Sequence, residues 1–311
     1  MKFRTELTPQ PIKPSFLYTD SLLFIGSCFA ESIGERFQRF GQLCTINPLG
    51  IQYNPVSIKK NIAYFSGKKQ LAQKDIFYHN NRYRHWDVHS RICHPSELET
   101  KNNLSQAVQE GQNKLQNCQW LCITLGSAHV WEHKGEVVSN CHKKDQREFD
   151  RRRLEIKECI DELDEIICFA TAANPEINIL FTVSPVRYLR DGLIENQQSK
   201  STLLLSVHQM CERYPQKVHY FPAYELFIDD LRDYRFVGPD LAHPSSAAVD
   251  YIYKKFLQCA VSTQGLNFLK MGEKIHKLKS HIPDLLDHAA LQIQNERIIQ
   301  AESQRAKLFP R

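Results

Sequence analysis

Five short apolar runs constrain this chain more than any other feature: LLFIG at 22–26, LCTIN at 43–47, WLCITLG at 120–126, INILFTVS at 177–184 and VHYF at 218–221. They are rich in branched residues, bounded by Gly, Pro or Asn, and read as strands. Helical periods lie between them, over 28–40, 55–65, 103–117, 146–173 and 199–213, with Asn54-Pro55 supplying a cap and a first turn. Strands that alternate with helices predict a parallel sheet covered on both faces. The segment HVWEHKGEVVSN at 129–140 has Lys134-Gly135 between two extended stretches and predicts a β-hairpin inserted after the third strand. Residues 75–95, DIFYHNNRYRHWDVHSRICHP, are aromatic and histidine-rich without a clear period, which suits an ordered loop that walls a site.

After Cys259 the chain becomes charged and helix-forming, and Pro283 separates two stretches. The expectation is one α/β domain over 1–260 and a helical extension over 261–311, docked through its Leu and Ile stripes. A chain of 311 residues, 42% hydrophobic, is large enough for one substantial core. Its net charge of +5 comes without a run of Lys and Arg interleaved with aromatics, so a nucleic-acid groove is excluded. The first sixteen residues hold no apolar signal core, and no apolar run nears the roughly 18 residues a bilayer requires. A cytoplasmic protein that does not engage membranes is expected. Ten cysteines form no CxxC pair, and several fall in apolar periods, which fits free thiols in a reducing compartment.

The first strand runs into FIGSCFAESIGERF, residues 24–37. Gly26 permits a sharp turn, and Phe29, Ile33 and Phe37 recur at helical spacing, so Ser27 stands at a strand-to-helix corner. There a side chain is lifted above the sheet edge, where the helix's unpaired N–H groups point. The alternative role for Ser27 is an N-cap. Cys28 is a rival nucleophile at the start of the helix, expected instead to turn toward the sheet. Farther on, GPDLAHPSSAAVDYI at 238–252 sets Asp240 three residues before His243, ahead of a helix that Pro244 or Ser245 starts. In so short a turn the carboxylate reaches Nδ1 and leaves Nε2 free to act as a base, worth about 10²–10⁴ in rate. In a sheet wound in strand order, the end of the first strand and the loop after the fifth share the carboxyl edge where ligands bind. The alternative is that Asp240 and His243 merely cap the following helix.

Six segments resemble the GSCFA family of bacterial proteins: GSCFA at 26–30, NPLGIQYNP at 47–55, HWDVHSR at 85–91, TLGSAHVWE at 124–132, TVSPVRYLRDGLIENQQSK at 182–200 and LRDYRFVGPDLAHPSSAAVDYI at 231–252. That family in turn resembles the SGNH (GDSL-type) hydrolases. The resemblance implies a three-layer, flavodoxin-like α/β/α fold with a mainly five-stranded parallel sheet, and acyl-serine chemistry. It matches Ser27 to the nucleophile, Asp240 and His243 to the DxxH element, and Gly50 to the second-motif glycine whose N–H helps hold the oxyanion. At the third motif, GxND, the chain reads GSAH, so Ala128 stands where the oxyanion-binding asparagine belongs. One such donor is worth about 10²–10³ in kcat. Asn54, His89 and Ser127 are candidate replacements, with ordinary loop hydrogen bonds as the alternative and an N-cap role for Asn54 before Pro55.

Trp86, Asp87, His89, Ser90 and Arg91 form the densest polar and aromatic cluster, open to substrate contact or to an Asp87 pairing with Arg91 or His89 that pins the loop. His129, in the third-motif segment, is a further candidate substrate contact. Arg187, directly after the fourth strand, is suited to a carboxylate or phosphate, or to pairing with Asp191 or Glu195. Histidines 79, 85, 89 and 94 match no metal-ligand spacing, and neither a metal nor a cofactor is expected. The leading expectation is a serine esterase acting on a small-molecule or glycan acyl ester. Two alternatives accompany it: transfer of the acyl group to a glycan hydroxyl, as in plant proteins with GDS and DxxH elements, and a non-catalytic binding protein for a small molecule or carbohydrate. Oligomeric state is left open.

Overall fold

All five expected strands form in the computed structural model, which describes residues 4–281 and 288–310. In chain order the strands are β1 (Ser21–Gly26), β2 (Leu43–Ile46), β3 (Ile76–His79), β4 (Arg82–His85), β5 (Trp120–Leu125), β6 (His129–His133), β7 (Glu136–Val138), β8 (Asp150–Arg153), β9 (Asn178–Val183) and β10 (Val218–Phe221). The helices are α1 (Cys28–Arg39), α2 (Pro55–Phe65), α3 (Glu97–Asn117), α4 (Ile156–Ala173), α5 (Leu193–Arg213), the single turn α6 (Ala223–Glu225), α7 (Ser246–Ala260), α8 (Thr263–Ser280) and α9 (His288–Leu308). The central sheet is wholly parallel in the order β10-β9-β5-β1-β2. This is the flavodoxin-like winding: the chain leaves β1 toward β2 and then crosses back to β5, opening a crevice at the carboxyl ends of β1 and β5.

Alternation along the strands builds two cores. Leu23 and Ile25 of β1 with Leu121 and Ile123 of β5 pack under α2, α3, α4 and α5. Leu22, Phe24, Trp120 and Cys122 face α1, α7 and α8 on the other side. Burying a large apolar side chain is worth about 1.5–3 kcal/mol, so each face binds its helix layer firmly. The C-terminal extension joins the second core through Phe268, Leu269 and Phe309. Gly272 brings α8 onto α1, where a Cβ would stand 1.9 Å from the carbonyl oxygen of Phe40. Pro283 lies outside the described residues. No helix among the described residues is long and apolar enough to cross a membrane.

Several elements differ from expectation. The helical period of 146–173 begins only at Ile156, where Glu155 and Glu158 form a reciprocal capping box. Residues 150–153 instead pair antiparallel with β6, and Arg152 of this strand meets Glu132 at 2.7 Å. The stretch at 75–95 contains a two-stranded ribbon, β3 with β4, turned by Asn80 and Asn81 at φ of 49° and 57°. Asparagine tolerates this left-handed region, so the pair makes a tight hairpin without glycine. The hairpin at 129–140 forms as expected, with Lys134 and Gly135 at its turn. Helices α3 and α5 start earlier than their apolar periods, α3 because Ser96 caps it.

Candidate active site

The corner after β1 is built by close backbone packing. Gly26, at φ +138°, lies where a Cβ would be 2.1 Å from the carbonyl oxygen of Thr124 on β5, so no larger residue fits. The next residue, Ser27, is fully buried. Its N–H donates to the Thr124 oxygen at 3.1 Å, and its Oγ accepts the N–H of Phe29 at 3.3 Å. Ser27 is therefore the N-cap of α1, and among the described residues its Oγ makes no hydrogen bond to His243. Cys28, the first residue of the helix, is only partly buried, and its Sγ stands 3.7 Å from Nε2 of His243. The other ring nitrogen, Nδ1, lies 2.5 Å from Oδ2 of Asp240. Oδ1 of Asp240 accepts the N–H groups of Ala242 at 3.1 Å and His243 at 3.0 Å. The loop is tied at both ends: the Gly238 N–H donates to the His243 oxygen at 2.7 Å, and the Arg187 N–H to the Ala242 oxygen at 3.0 Å. Ser245 then caps α7.

The expected orientation of the two corner residues is thus reversed. An N-cap side chain must fold back over the first turn to take up an orphan N–H, which turns Ser27 inward and leaves the outward position to Cys28. A signal for this was present in the sequence. In a GDS element the serine is the second residue after the glycine, and the second residue after Gly26 is Cys28.

Burial pushes the Cys28 thiol above its ordinary range and Glu31 pushes it further, while the first N–H groups of α1 and the Lys200 ammonium pull it down. The net direction is upward, so the group rests as a thiol and needs a base. Asp240 is held at about 2 by the His243 and Ala242 N–H groups and the imidazole, so it is ionised at neutral pH. Lys200 is completely buried; burial lowers it to about 7. Its Nζ donates to the carbonyls of Gly126 at 2.6 Å and Ser184 at 2.7 Å, stapling the segments that follow β5 and β9. Above it lies Tyr188, with Nζ 5.1 Å from the ring centre. Among the described residues the buried Tyr188 hydroxyl has no hydrogen-bond partner, and it presses on Gly126, where a Cβ would come within 2.3 Å of it. Burial raises this phenol well above its ordinary value, so it stays a donor. Tyr53 packs edge-on against it at 5.8 Å.

Of the expected oxyanion donors, the Gly50 N–H is engaged elsewhere. The N–H of Gly50 donates to the Asn47 oxygen at 2.8 Å, and Gly50 itself, at φ +85°, makes room for His89, which a Cβ would meet at 2.1 Å. Asn54 is the N-cap of α2, its Oδ1 accepting the Ser57 N–H at 2.8 Å. Ser127 Oγ lies among Ser199 and His129, and Ala128 is buried. The Cys28 N–H is an orphan of the first helical turn, and Tyr53 and Tyr188 lie near enough to Cys28 for a thiolate there to push both phenols up.

Of the candidate substrate contacts, His89 and Arg91 come to the β2 side of the corner. His89 Nδ1 accepts the Arg91 N–H at 3.3 Å, and Arg91 pairs at 2.7 Å with Glu31, one turn past Cys28 on α1, and also donates to the Asn47 carbonyl. Trp86 does not join them: it is stacked between Phe77 at 3.9 Å and His133 at 4.5 Å, packing the β3–β4 ribbon on the β6–β7 hairpin. Asp87 pairs with Lys60 and Lys69, both at 2.7 Å, and accepts from Tyr64, rather than meeting Arg91 or His89. His129 lies between Asp191 at 3.6 Å and Glu195 at 3.8 Å. Those two carboxylates also hold Arg151 and Arg153, so neither takes Arg187, whose guanidinium lies over the Phe227 ring at 5.7 Å. Among the described residues no three His, Cys, Asp or Glu side chains converge as metal ligands.

The GSCFA family model matches residues 21–256, from the first residue of β1 into α7, so the match includes the corner, Tyr188 and the Asp240–His243 loop. The chain belongs to the GSCFA family. No curated protein matches it.

Proposed function

We propose that this member of the GSCFA family is an acyl hydrolase that works through Cys28, with His243 as its base and Asp240 orienting the imidazole. The observation that carries this reading is the chain of contacts from Cys28 Sγ, 3.7 Å to Nε2, and from Nδ1, 2.5 Å to the carboxylate. Nucleophile, base and orienting acid follow one another within hydrogen-bonding reach, the arrangement nucleophilic acyl transfer requires. As sulfur attacks the acyl carbon, Nε2 takes the thiol proton, a C–S bond forms and the carbonyl π pair moves onto oxygen. The Cys28 N–H and the Tyr188 hydroxyl receive that oxyanion. Collapse expels the alkoxide or thiolate, which leaves with the proton from Nε2, and Cys28 carries a thioester. Water, deprotonated by His243, then attacks the thioester and releases the acid and the thiol.

A second reading, transfer to an acceptor hydroxyl, is favoured by the sulfur itself, since an acyl thioester is an activated donor. His243 and Asp240 are each about half exposed, at 52% and 53%, so the base is open to an acceptor. The test is acylation by an activated short-chain ester, followed by peptide mapping, on the wild type and on Cys28→Ala, Ser27→Ala and His243→Ala. An adduct on Cys28 that persists in Ser27→Ala and slows in His243→Ala is expected. An adduct on Ser27, or none on the folded wild type, overturns the reading, and the latter favours a non-catalytic binding protein. Release of the adduct by an added glycan, but not by water, selects transfer over hydrolysis.

A further inference from the structure

A groove of about 410 Å³ opens beside the catalytic loop, within the range of roughly 300–1,000 Å³ found for small-ligand sites. Leu189, Leu193, Phe227, Leu231, Val237 and Leu241 make most of its lining. Two of these leave unusual apolar area to solvent, Leu193 at 63% exposure and Leu241 at 56%. Leu241 belongs to the turn that orients His243: it follows Asp240 directly, at φ +58°. A leucine in that left-handed region is an outlier that a polar turn residue would occupy at less cost. The same turn thus serves the base and lines the groove.

One charge in the groove is uncommitted. Arg232 pairs with Asp229 at 2.6 Å. Arg187 makes no ion pair and no side-chain hydrogen bond among the described residues; its guanidinium lies over Phe227, while its backbone N–H holds the loop at Ala242. A guanidinium beside apolar walls offers a fork of donors to a carboxylate or phosphate. We propose that this groove is the substrate's acyl-chain site and that the substrate is an anionic amphiphile, an apolar acyl chain with a carboxylate or phosphate held by Arg187. This assignment rests on the acyl chemistry of Cys28 for its place in the reaction, but the binding site stands apart from it.

The test titrates the full chain with octanoate and with octyl phosphate by calorimetry, in the wild type, Leu193→Asp and Arg187→Gln. Saturable binding is expected, weakened about tenfold or more in each variant, since each loses the burial of one large apolar side chain or one charge-assisted contact. The stronger of the two ligands identifies the anion as carboxylate or phosphate. The rate of Cys28 alkylation by iodoacetamide should be unchanged in Leu193→Asp, and wild-type turnover of octanoyl esters should exceed that of acetyl esters, with the preference lost in that variant. Absence of saturable binding, or equal binding in the variants, overturns the groove assignment even where Cys28 is acylated. Binding without any Cys28 acylation keeps the groove and overturns the proposed chemistry instead.

Discussion

Replacing Asp240 with asparagine should stop the proposed reaction while leaving the loop in place. The carboxylate has two tasks in the structure: Oδ1 accepts the Ala242 and His243 N–H groups, and Oδ2 faces Nδ1 at 2.5 Å. In Asp240→Asn the amide oxygen can keep the backbone contacts, so its NH₂ group then meets Nδ1. Nδ1 must become an acceptor, which moves the ring proton to Nε2, the nitrogen that has to be bare to take the Cys28 proton. Because burial holds Cys28 as a thiol, no preformed thiolate rescues the step. Loss of an oriented base is worth roughly 10²–10⁴ in rate, and the whole loss should fall on kcat. Asp240→Ala should lose as much activity and also loosen the loop. The assay pairs single-turnover acylation with iodoacetamide alkylation of Cys28, against pH. The aspartate, held at about 2 in the fold against an ordinary 3.8, is charged from about pH 4 upward. Its support of the loop is complete there and is lost as pH falls toward 2. Retention of activity in Asp240→Asn to within about threefold, far below the effect of an oriented base, would refute the reasoning.

Ser27→Ala removes the N-cap of α1 and should cost about 0.5–2 kcal/mol of stability, read by denaturant melts, with Cys28 alkylation intact. Tyr188→Phe deletes a buried hydroxyl that has no hydrogen-bond partner among the described residues; kcat should fall about 10²–10³ with KM nearly unchanged, whereas a purely packing role predicts no change in kcat. Lys200 is lowered to about 7 in the fold against 10.5 when unfolded, so the unfolded chain holds the extra proton between those values and stability should rise with pH above 7. Above about 9 the buried cysteines act in the opposite sense: Cys118 is raised to about 12 by burial, so the fold then keeps a proton that the unfolded chain loses. The rise between pH 7 and 9 should therefore be absent in Lys200→Met, followed by urea melts at each pH.

The sheet was legible because its strands are buried on both faces and read as apolar runs with punctuated ends, and the crevice then follows from winding order alone. Asp240 and His243 were legible because their contact is local, within one turn. What escaped was long-range or direction-dependent. The Asp87 cluster joins Lys60 and Lys69 across loops that no period connects. The β3–β4 ribbon is turned by asparagines rather than glycine, and neither of its faces is an apolar stripe: Phe77 and His79 share one with Arg82 and Arg84, and Tyr78, Tyr83 and His85 interrupt the other. Gly50 has the residue type an oxyanion hole uses, but Asn47 holds its N–H in the backbone, and Asn54 turns its Oδ1 to the Ser57 N–H as the cap of α2. Lys200 sits in a helix period as an ordinary polar residue, and only the closing of β5 and β9 around it shows that it is buried.

The sulfur nucleophile and the missing asparagine belong to one argument on the proposed reading. A hydroxyl nucleophile depends heavily on its base and on oxyanion stabilisation, whereas a thiol is intrinsically the stronger nucleophile and the easier to deprotonate, so His243 can activate Cys28 although burial keeps it protonated at rest. A site that attacks through Cys28 tolerates Ala128 in the third motif, with Tyr188 and one helix N–H as its donors. A site that attacked through oxygen at the same position would not. Cys28→Ser is nearly isosteric and leaves His243 and Asp240 in place, so its thermal stability should match the wild type. Its acylation should be slower by about 10² or more, the worth of the donor that Ala128 cannot supply. A serine variant that acylates as fast as the cysteine would break the link between nucleophile and oxyanion site, and would mean that the wall of Tyr53 and Tyr188 is already a complete hole.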